Sequence, residues 1–268
     1  MKPNVVLIHC HDTGRYIEPY GFQADTPHML RAAQEGMLFH RMYSAAPSCS
    51  PSRAALLTGQ CPHSAGMMGL VNRGFDITHP ERHLASYLSH HGYHSILAGV
   101  QHILFERQQS PYDEVLKAYP HDGAATVAQG LAAIDRADGH PLFLDIGFND
   151  THRPFDPDHL TVDPNYVRPP LPLPNTPKVR RDMAGFLTDV KRYDDWVGMI
   201  LGGLRDRGLL DHTLVIITTD HGIAFPGMKC SLTDHGTGVL CILRLPGVIP
   251  GGSVCNQVVS QMDLFPIL

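Results

Sequence analysis

The chain has 268 residues, of which 43% are apolar and 18% charged, and its formal net charge is -5. This composition is typical of a globular domain and excludes a disordered or collagen-like chain. The sequence contains no Lys/Arg-rich run that would bind nucleic acid, and no apolar stretch of the roughly 20 residues that cross a bilayer. We therefore expect neither nucleic acid nor a membrane as a partner, and the oligomeric state stays open.

The six cysteines could form three disulfides, but the N-terminal residues do not resemble a secretory signal. Cys10 and Cys241 lie in strand-like segments, where a reduced cysteine packs as a small apolar side chain. We therefore expect free thiols and a cytoplasmic protein, with an exported form as the alternative.

Short apolar runs predict buried strands in residues 5–8, 95–98, 142–148 and 214–219. Between them, helical patterns cover residues 27–34, 52–57, 84–91, 124–137 and 180–207. This alternation predicts an α/β fold, with a mostly parallel sheet flanked by helices on both faces, and one domain over residues 1–268. The proline-rich residues 154–177 predict a long loop over the site.

Polar side chains follow two of these strands, with His11 and Asp12 after the first and Asp220 and His221 after the last. Ligand sites in open α/β sheets lie at this edge, so a parallel sheet could bring the two pairs together. Carboxylates suit Ca²⁺ or Mg²⁺, and the imidazoles would tolerate Mn²⁺ or Zn²⁺. The alternative for any single Asp is a helix or turn cap.

Cys49 stands directly before residues that favour the start of a helix. Pro51 suits a first turn, residues 54–57 are good helix formers, and Gly59 can end the helix. At a helix N-terminus the backbone N–H groups favour a thiolate or a bound anion, and Arg53 adds a cation one turn on. A lone cysteine at this point would by itself be a buried structural residue.

The run Cys-x-Pro-x-Arg, followed by Ala-x-Leu-x-Thr-Gly, spans residues 49–59 and resembles the signature of the type I sulfatases. Residues 65–70 and 222–226 resemble in particular the heparan N-sulfatase (sulfamidase) members of that family. The resemblance implies an alkaline phosphatase-like fold and a smaller C-terminal subdomain, which we expect to be absent from this chain. It also implies that a maturation enzyme oxidises Cys49 to formylglycine, whose hydrated aldehyde attacks sulfate.

The resemblance also implies a divalent metal at residues 11–12 and 220–221. Asp12 and Asp220 are the expected ligands, joined by His11, His221 and residue 49. The family has a second Asp where this chain has His11. We expect Ca²⁺, with Mg²⁺ or Mn²⁺ as alternatives.

The remaining implied site residues bind the sulfate or move protons. Val100 stands where the family has a sulfate-binding Lys, Gln101 is a substitute donor, and His102 keeps its place. His152 corresponds to a histidine that donates to the substrate and is the candidate general acid. Lys229 corresponds to a Lys or Arg that contacts sulfate.

These residues predict a hydrolase that cleaves a sulfate ester or sulfamate, on a sugar or another small molecule, through formylglycine at position 49. One alternative is a phosphomonoester or phosphonate monoester hydrolase, since related enzymes share the nucleophile and the metal. Another is a truncated protein that binds sulfated glycans without turnover, because Val100 and His11 depart from the family pattern.

Overall fold

The computed structural model describes residues 2–105, 110–117, 119, 121–136 and 139–268. Within them, eight strands form one sheet. They are β1 (Asn4–Cys10), β2 (Met37–Tyr43), β3 (His94–Gly99), β4 (Glu114–Val115), β5 (Leu142–Gly147), β6 (Thr213–Thr219), β7 (Cys241–Arg244) and β8 (Ser253–Ser260).

The strand order is β4-β3-β5-β1-β6-β7-β2-β8. β7 runs antiparallel to both of its neighbours, β6 and β2, and every other neighbouring pair is parallel. The predicted mostly parallel sheet is confirmed. β1 lies near the centre, between β5 and β6, so the residues that follow β1 and β6 leave the same edge of the sheet side by side.

Helices cover both faces of the sheet, as predicted. They are α1 (Pro27–Glu35), α2 (Cys49–Thr58), α3 (Leu84–His90), α4 (Gly123–Ile134), α5 (Pro177–Asp206) and the short α6 (Asp234–Thr237). Alternate residues of β1 point to opposite faces. Val6 and Ile8 pack in the cluster that contains α1, α4 and α5, whereas Val5 and Leu7 pack with α2 and α3.

The longest helix, α5, buries the apolar face that its sequence predicts. It begins at Pro177, three residues earlier than the pattern indicated, because Thr176 caps it by accepting a hydrogen bond from the Val179 N–H. The helix predicted over residues 124–137 begins at Gly123 and ends at Ile134. Residue 137 lies outside the described residues.

The proline-rich residues 154–177 are irregular except for one 3₁₀ turn, Pro164–Tyr166. Hydrogen bonds join this loop to α5, from Arg181 to the Pro157 carbonyl and from the Thr161 N–H to Thr188. The loop therefore lies along α5.

Cys10 and Cys241 are buried in β1 and β7, and all six cysteines are free thiols.

Strands β2, β4 and β8 were not predicted; β8, at one edge of the sheet, is largely exposed and lacks a continuous apolar run. Among the described residues, no helix combines the length and the apolarity that a membrane-spanning segment needs.

Candidate active site

The carboxyl ends of β1 and β6 bring the two predicted residue pairs together. Cys10 pairs with Thr219 in the parallel register, so His11-Asp12 and Asp220-His221 leave the sheet next to each other. The Asp12 N–H donates to Asp220 Oδ1 over 2.8 Å. Ligand atoms of His11, Asp12, Cys49 and Asp220 all lie within 4.8 Å of one another, and all four residues are buried.

Cys49 is the first residue of α2, which begins three residues earlier than predicted. Its Sγ lies 3.3 Å from His221 Nε2. Of the two species that a helix N-terminus could favour here, a thiolate or a bound anion, the structure does not favour the thiolate, because burial and then the nearby Asp220 carboxylate raise the pKa of the unmodified Cys49 thiol to about 12. These effects outweigh Lys229 and Arg53, so the unmodified thiol is a weak nucleophile at this position.

Arg53 lies one turn along α2, and its guanidinium contacts the cluster at Asp220. It donates from Nε to Asp220 Oδ2 over 3.2 Å and from one terminal nitrogen to the Cys10 carbonyl over 2.9 Å. Burial alone would raise the pKa of Asp220, but the His221 ring, the Arg53 guanidinium and the His11 ring together hold it well below the usual range. Asp220 is therefore a carboxylate at neutral pH.

Two imidazole nitrogens in this cluster have the geometry of metal ligands. The His221 Nδ1–H donates to the Gly222 carbonyl over 2.9 Å, so in the neutral ring the lone pair is on Nε2, which lies 3.1 Å from Asp12 Oδ1. A backbone carbonyl that fixes the tautomer in this way is typical of a metal-binding histidine. The His11 Nδ1 is buried without a hydrogen-bond partner, although it lies 3.0 Å from Asp220 Oδ2. Two carboxylates and two imidazoles therefore fit a divalent cation.

Lys229 contributes a positive charge beside Asp12. Its Nζ donates to both oxygens of Asp12, over 2.9 and 2.8 Å. Burial alone would lower the pKa of Lys229, but the Asp12 carboxylate raises it, so the ammonium keeps its charge.

His102 and His152 lie beside His11, with ring centroids 5.7 and 5.5 Å from its ring. Burial, followed by the positive charge of Arg53, lowers the pKa of His102 to about 4, so this imidazole is neutral near pH 7. The His152 Nδ1–H donates to the Arg153 carbonyl over 2.6 Å. Its Nε2 can therefore give up a proton only from the imidazolium form.

Gln101 does not take the role predicted for it as a substitute anion donor. Its side-chain oxygen accepts from the N–H groups of Ile103 and Leu104, and its Nε2 donates to the Leu104 carbonyl. The amide closes the turn that carries His102. Gln101 therefore does not replace the anion-binding group that the family's Lys supplies at the position of Val100.

Three buried residues of the site region were not predicted from the sequence: His9, Asp145 and Tyr112. His9 bonds to Arg53 and Asp145, and Tyr112 bonds to Asp145. The signal that could have indicated them is a charged residue in the middle of the apolar run of β5 and a His at an inward position of β1.

The mostly parallel sheet, with helices on both faces and a buried cluster at its strand ends, defines a protein of the alkaline phosphatase-like fold. The model of the sulfatase family matches residues 3–268. The chain belongs to the sulfatase family.

Three similar proteins illustrate the range of relatives. Human N-sulphoglucosamine sulphohydrolase is 32% identical over an alignment of 303 residues, which covers 99% of this chain and 60% of the relative. A solved structure of a complex with the substrate D-glucosamine-2-N,6-O-disulfate has a TM-score of 0.81 at 17% identity, covering 99% of this chain and 76% of that one. The phosphonate monoester hydrolase of Silicibacter pomeroyi has a TM-score of 0.78 at 20% identity, covering 99% and 72%. The chain therefore spans about 60% of the length of the human relative.

Proposed function

We propose that this protein hydrolyses a sulfate ester or a sulfamate on a sugar. The observation that carries the proposal is the position of Cys49, which begins α2 inside a buried cluster of carboxylates and imidazoles within the Cys-x-Pro-x-Arg run. Membership of the sulfatase family supports this reading. The human relative named N-sulphoglucosamine sulphohydrolase and the structure with a disulfated glucosamine support a sulfated amino sugar as the substrate class.

The nucleophile in this proposal is formylglycine, made from Cys49 by a maturation enzyme. A buried thiol with a raised pKa is poorly suited to attack sulfur. The hydrated aldehyde would supply one oxygen that attacks sulfur and a second hydroxyl that allows sulfate to leave as the aldehyde re-forms.

The metal ligands in this proposal are Asp12, Asp220, His11, His221 and residue 49. A bound divalent cation would polarise a sulfate oxygen. Asp12 and Asp220 supply the oxygen ligands that Ca²⁺ prefers, so Ca²⁺ is the proposed ion. The imidazoles of His11 and His221 add nitrogen donors that favour softer cations, so Mn²⁺ is an alternative, beside Mg²⁺.

The remaining residues of the proposed mechanism supply charge or transfer protons. Lys229 neutralises the charge that develops on the sulfate oxygens, and Arg53 keeps Asp220 in place through its Nε–H. His152, as the imidazolium, donates a proton from Nε2 to the leaving oxygen or nitrogen. His102, neutral near pH 7, accepts a proton from the hydrated residue 49.

Intact mass and sulfate release test the proposal together. Protein made with a maturation enzyme should be about 18 Da lighter than the unmodified chain, because the thiol becomes an aldehyde. Only the lighter protein should release sulfate from N-sulfoglucosamine or an aryl sulfate, and Cys49→Ala should release none. Equal turnover by converted and unconverted protein, or none by fully converted protein with bound metal, would contradict the proposal.

A second candidate is a phosphonate monoester hydrolase, favoured by the fold match to the enzyme from Silicibacter pomeroyi. An aryl sulfate and an aryl phosphonate monoester each carry one negative charge, so the cation missing at Val100 does not discriminate between them. Because the chain belongs to the sulfatase family, we expect kcat/KM to be higher for an aryl sulfate than for an aryl phosphonate monoester. The reverse order would favour the second candidate.

A further inference from the structure

A continuous line of buried hydrogen bonds runs from the cluster of candidate metal ligands along the face of the sheet that α2 and α3 cover. Arg53 donates to His9 Nδ1 over 2.7 Å, and His9 Nε2 lies 2.7 Å from Asp145 Oδ1. The Tyr112 hydroxyl donates to the other oxygen of Asp145 over 2.5 Å. Arg53, His9 and Asp145 are each no more than 2% exposed.

The order of donors along this line determines the tautomer of His9. A guanidinium has only N–H donors, so Nδ1 of His9 must accept from Arg53. The proton of the neutral ring must then be on Nε2, where Asp145 Oδ1 accepts it. The opposite tautomer would place an N–H of His9 against an N–H of Arg53 and break the contact.

Asp145 has no Lys or Arg partner among the described residues, although it lies in the middle of a fully buried strand. An unpaired carboxylate there is costly unless hydrogen bonds compensate for the lost hydration. The neighbouring strand also leaves room for the His9 ring, because a Cβ at Gly147 would lie 2.6 Å from His9 Cε1. Asp145 and Gly147 together therefore fix the orientation of the His9 ring.

We propose that Asp145 and His9 are positioning residues that hold the Arg53 guanidinium against Asp220. Arg53 uses its three nitrogens on three different partners, Asp220, His9 and the Cys10 carbonyl. Loss of the His9 acceptor frees the guanidinium to rotate away from Asp220, and so loosens one carboxylate of the cluster. The catalytic consequence rests on the proposed function, since Arg53 acts there through Asp220.

A pair of His9 variants separates positioning from a structural role. His9→Leu and His9→Asn both remove the bond to Asp145, but the Asn oxygen can still accept from Arg53 near the place of Nδ1. We expect His9→Leu to lower kcat by about 10- to 100-fold with KM changed less than about threefold, and His9→Asn to recover part of the loss. Equal losses of kcat in the two variants, in proportion to their losses of thermal stability, would overturn the proposal.

Tyr112→Phe is the matched control. It removes one buried hydrogen bond from Asp145 but leaves the oxygen that faces His9 unchanged. Its kcat should stay within about threefold of the parent, whereas Asp145→Leu should match His9→Leu. A loss of kcat in Tyr112→Phe as large as in Asp145→Leu would contradict the inference.

The tautomer of His9 can be determined by NMR in the absence of substrate. In protein labelled with ¹⁵N-histidine, the His9 signals are assigned by their absence in His9→Asn, and the two ring nitrogens are distinguished by their chemical shifts. We expect Nε2 to carry the proton and Nδ1 to be an acceptor. The Nδ1–H tautomer or a doubly protonated ring near neutral pH would overturn the inference. Because this measurement uses unconverted protein, its outcome is independent of whether the protein is a sulfatase.

Discussion

At the scale of single residues, the two cations of the site differ in how freely they can meet a substrate. Arg53 is fully buried and engaged by three partners. Lys229 bonds only to Asp12 among the described residues, and about a fifth of its side chain is exposed (22%). Of the two, Lys229 is therefore the cation that can reach a sulfate oxygen.

Replacement of Lys229 tests this assignment. Lys229→Met should lower kcat/KM for sulfate release by about 100-fold, because one charge-stabilising donor is lost. Lys229→Arg should stay within about tenfold of the parent, since it keeps the charge. Lys178→Met, an exposed residue of α5, is the control and should leave kcat/KM unchanged. A Lys229→Met enzyme with the parent's kcat/KM would remove Lys229 from the proposed mechanism.

The sequence was sufficient to predict the residues that form the cluster, because they follow strands or belong to a specific motif. It was not sufficient for the line from His9 to Tyr112. His9 and Asp145 are 136 positions apart, and only the pairing of β1 with β5 brings them together. Cys49 was correctly placed at a helix start, but the protonation of its thiol depends on burial by distant segments, which the local sequence does not show.

At the scale of helices and strands, two helix starts depend on caps that local sequence does not indicate. The N-terminus of α1 has no cap from Thr26. Instead Asp194, in α5, accepts from the N–H groups of His28 and Met29 over 3.0 and 2.8 Å. Helix ends must satisfy their free N–H groups, and here a tertiary contact satisfies two of them.

Asp194→Ala should therefore lower the free energy of unfolding by about 2 kcal/mol, because a buried N–H loses its acceptor. Asp195→Ala, the neighbouring exposed residue, should change it by less than about 0.5 kcal/mol. Urea unfolding at pH 7 measures both values. Equal effects of the two substitutions would show that the contact to α1 contributes nothing to stability.

The second unusual cap is His83, whose Nδ1 accepts from the Ala85 N–H at the start of α3. Burial lowers the pKa of His83 to about 4, so the folded protein holds this ring neutral. The unfolded chain takes up a proton below its ordinary pKa, and the folded chain does not until the pH is lower still. Stability due to this group is therefore lost as the pH falls through the interval between the two pKa values.

His83→Asn keeps a capping oxygen and removes the titration. Between pH 7 and pH 5, the parent protein should lose about 2 kcal/mol more stability than His83→Asn does. Unfolding free energies of both proteins at the two pH values give the difference directly. Parallel pH profiles would mean that His83 does not titrate as described.

At the scale of the whole molecule, the sequence predicted the fold class but not the strand order. The alternation of strands and helices indicates a parallel sheet, and all four predicted strands lie in it. The largely exposed edge strand β8 was missed, because it lacks the continuous apolar run that marks a buried strand, and the reversed direction of β7 was not predicted. Such order depends on contacts between distant segments.

The cluster of candidate metal ligands joins three of these distant segments, so binding of the proposed metal should stabilise the whole fold. At a free concentration about 100 times the Kd, binding adds about 2.7 kcal/mol. For a chain of this size that corresponds to an increase in Tm of about 5 to 10 °C. Thermal unfolding with chelator and then with Ca²⁺, Mn²⁺ or Mg²⁺ measures the effect and ranks the ions.

Asp220→Asn should abolish most of this increase, because it weakens a central ligand. Asp182→Asn, at a half-buried ion pair with Arg153, is the control and should keep the full response to metal. If none of the three ions changes the Tm of the parent protein, the result would argue against a metal site at residues 11–12 and 220–221.

Every residue of α2 is buried, including Pro51 and Arg53 of the motif. The folded helix therefore leaves residues 49–53 almost no surface that another protein could contact. If Cys49 is converted to formylglycine as proposed, we expect conversion to precede folding of this segment. Slower folding at low temperature should then raise the converted fraction, which intact mass measures.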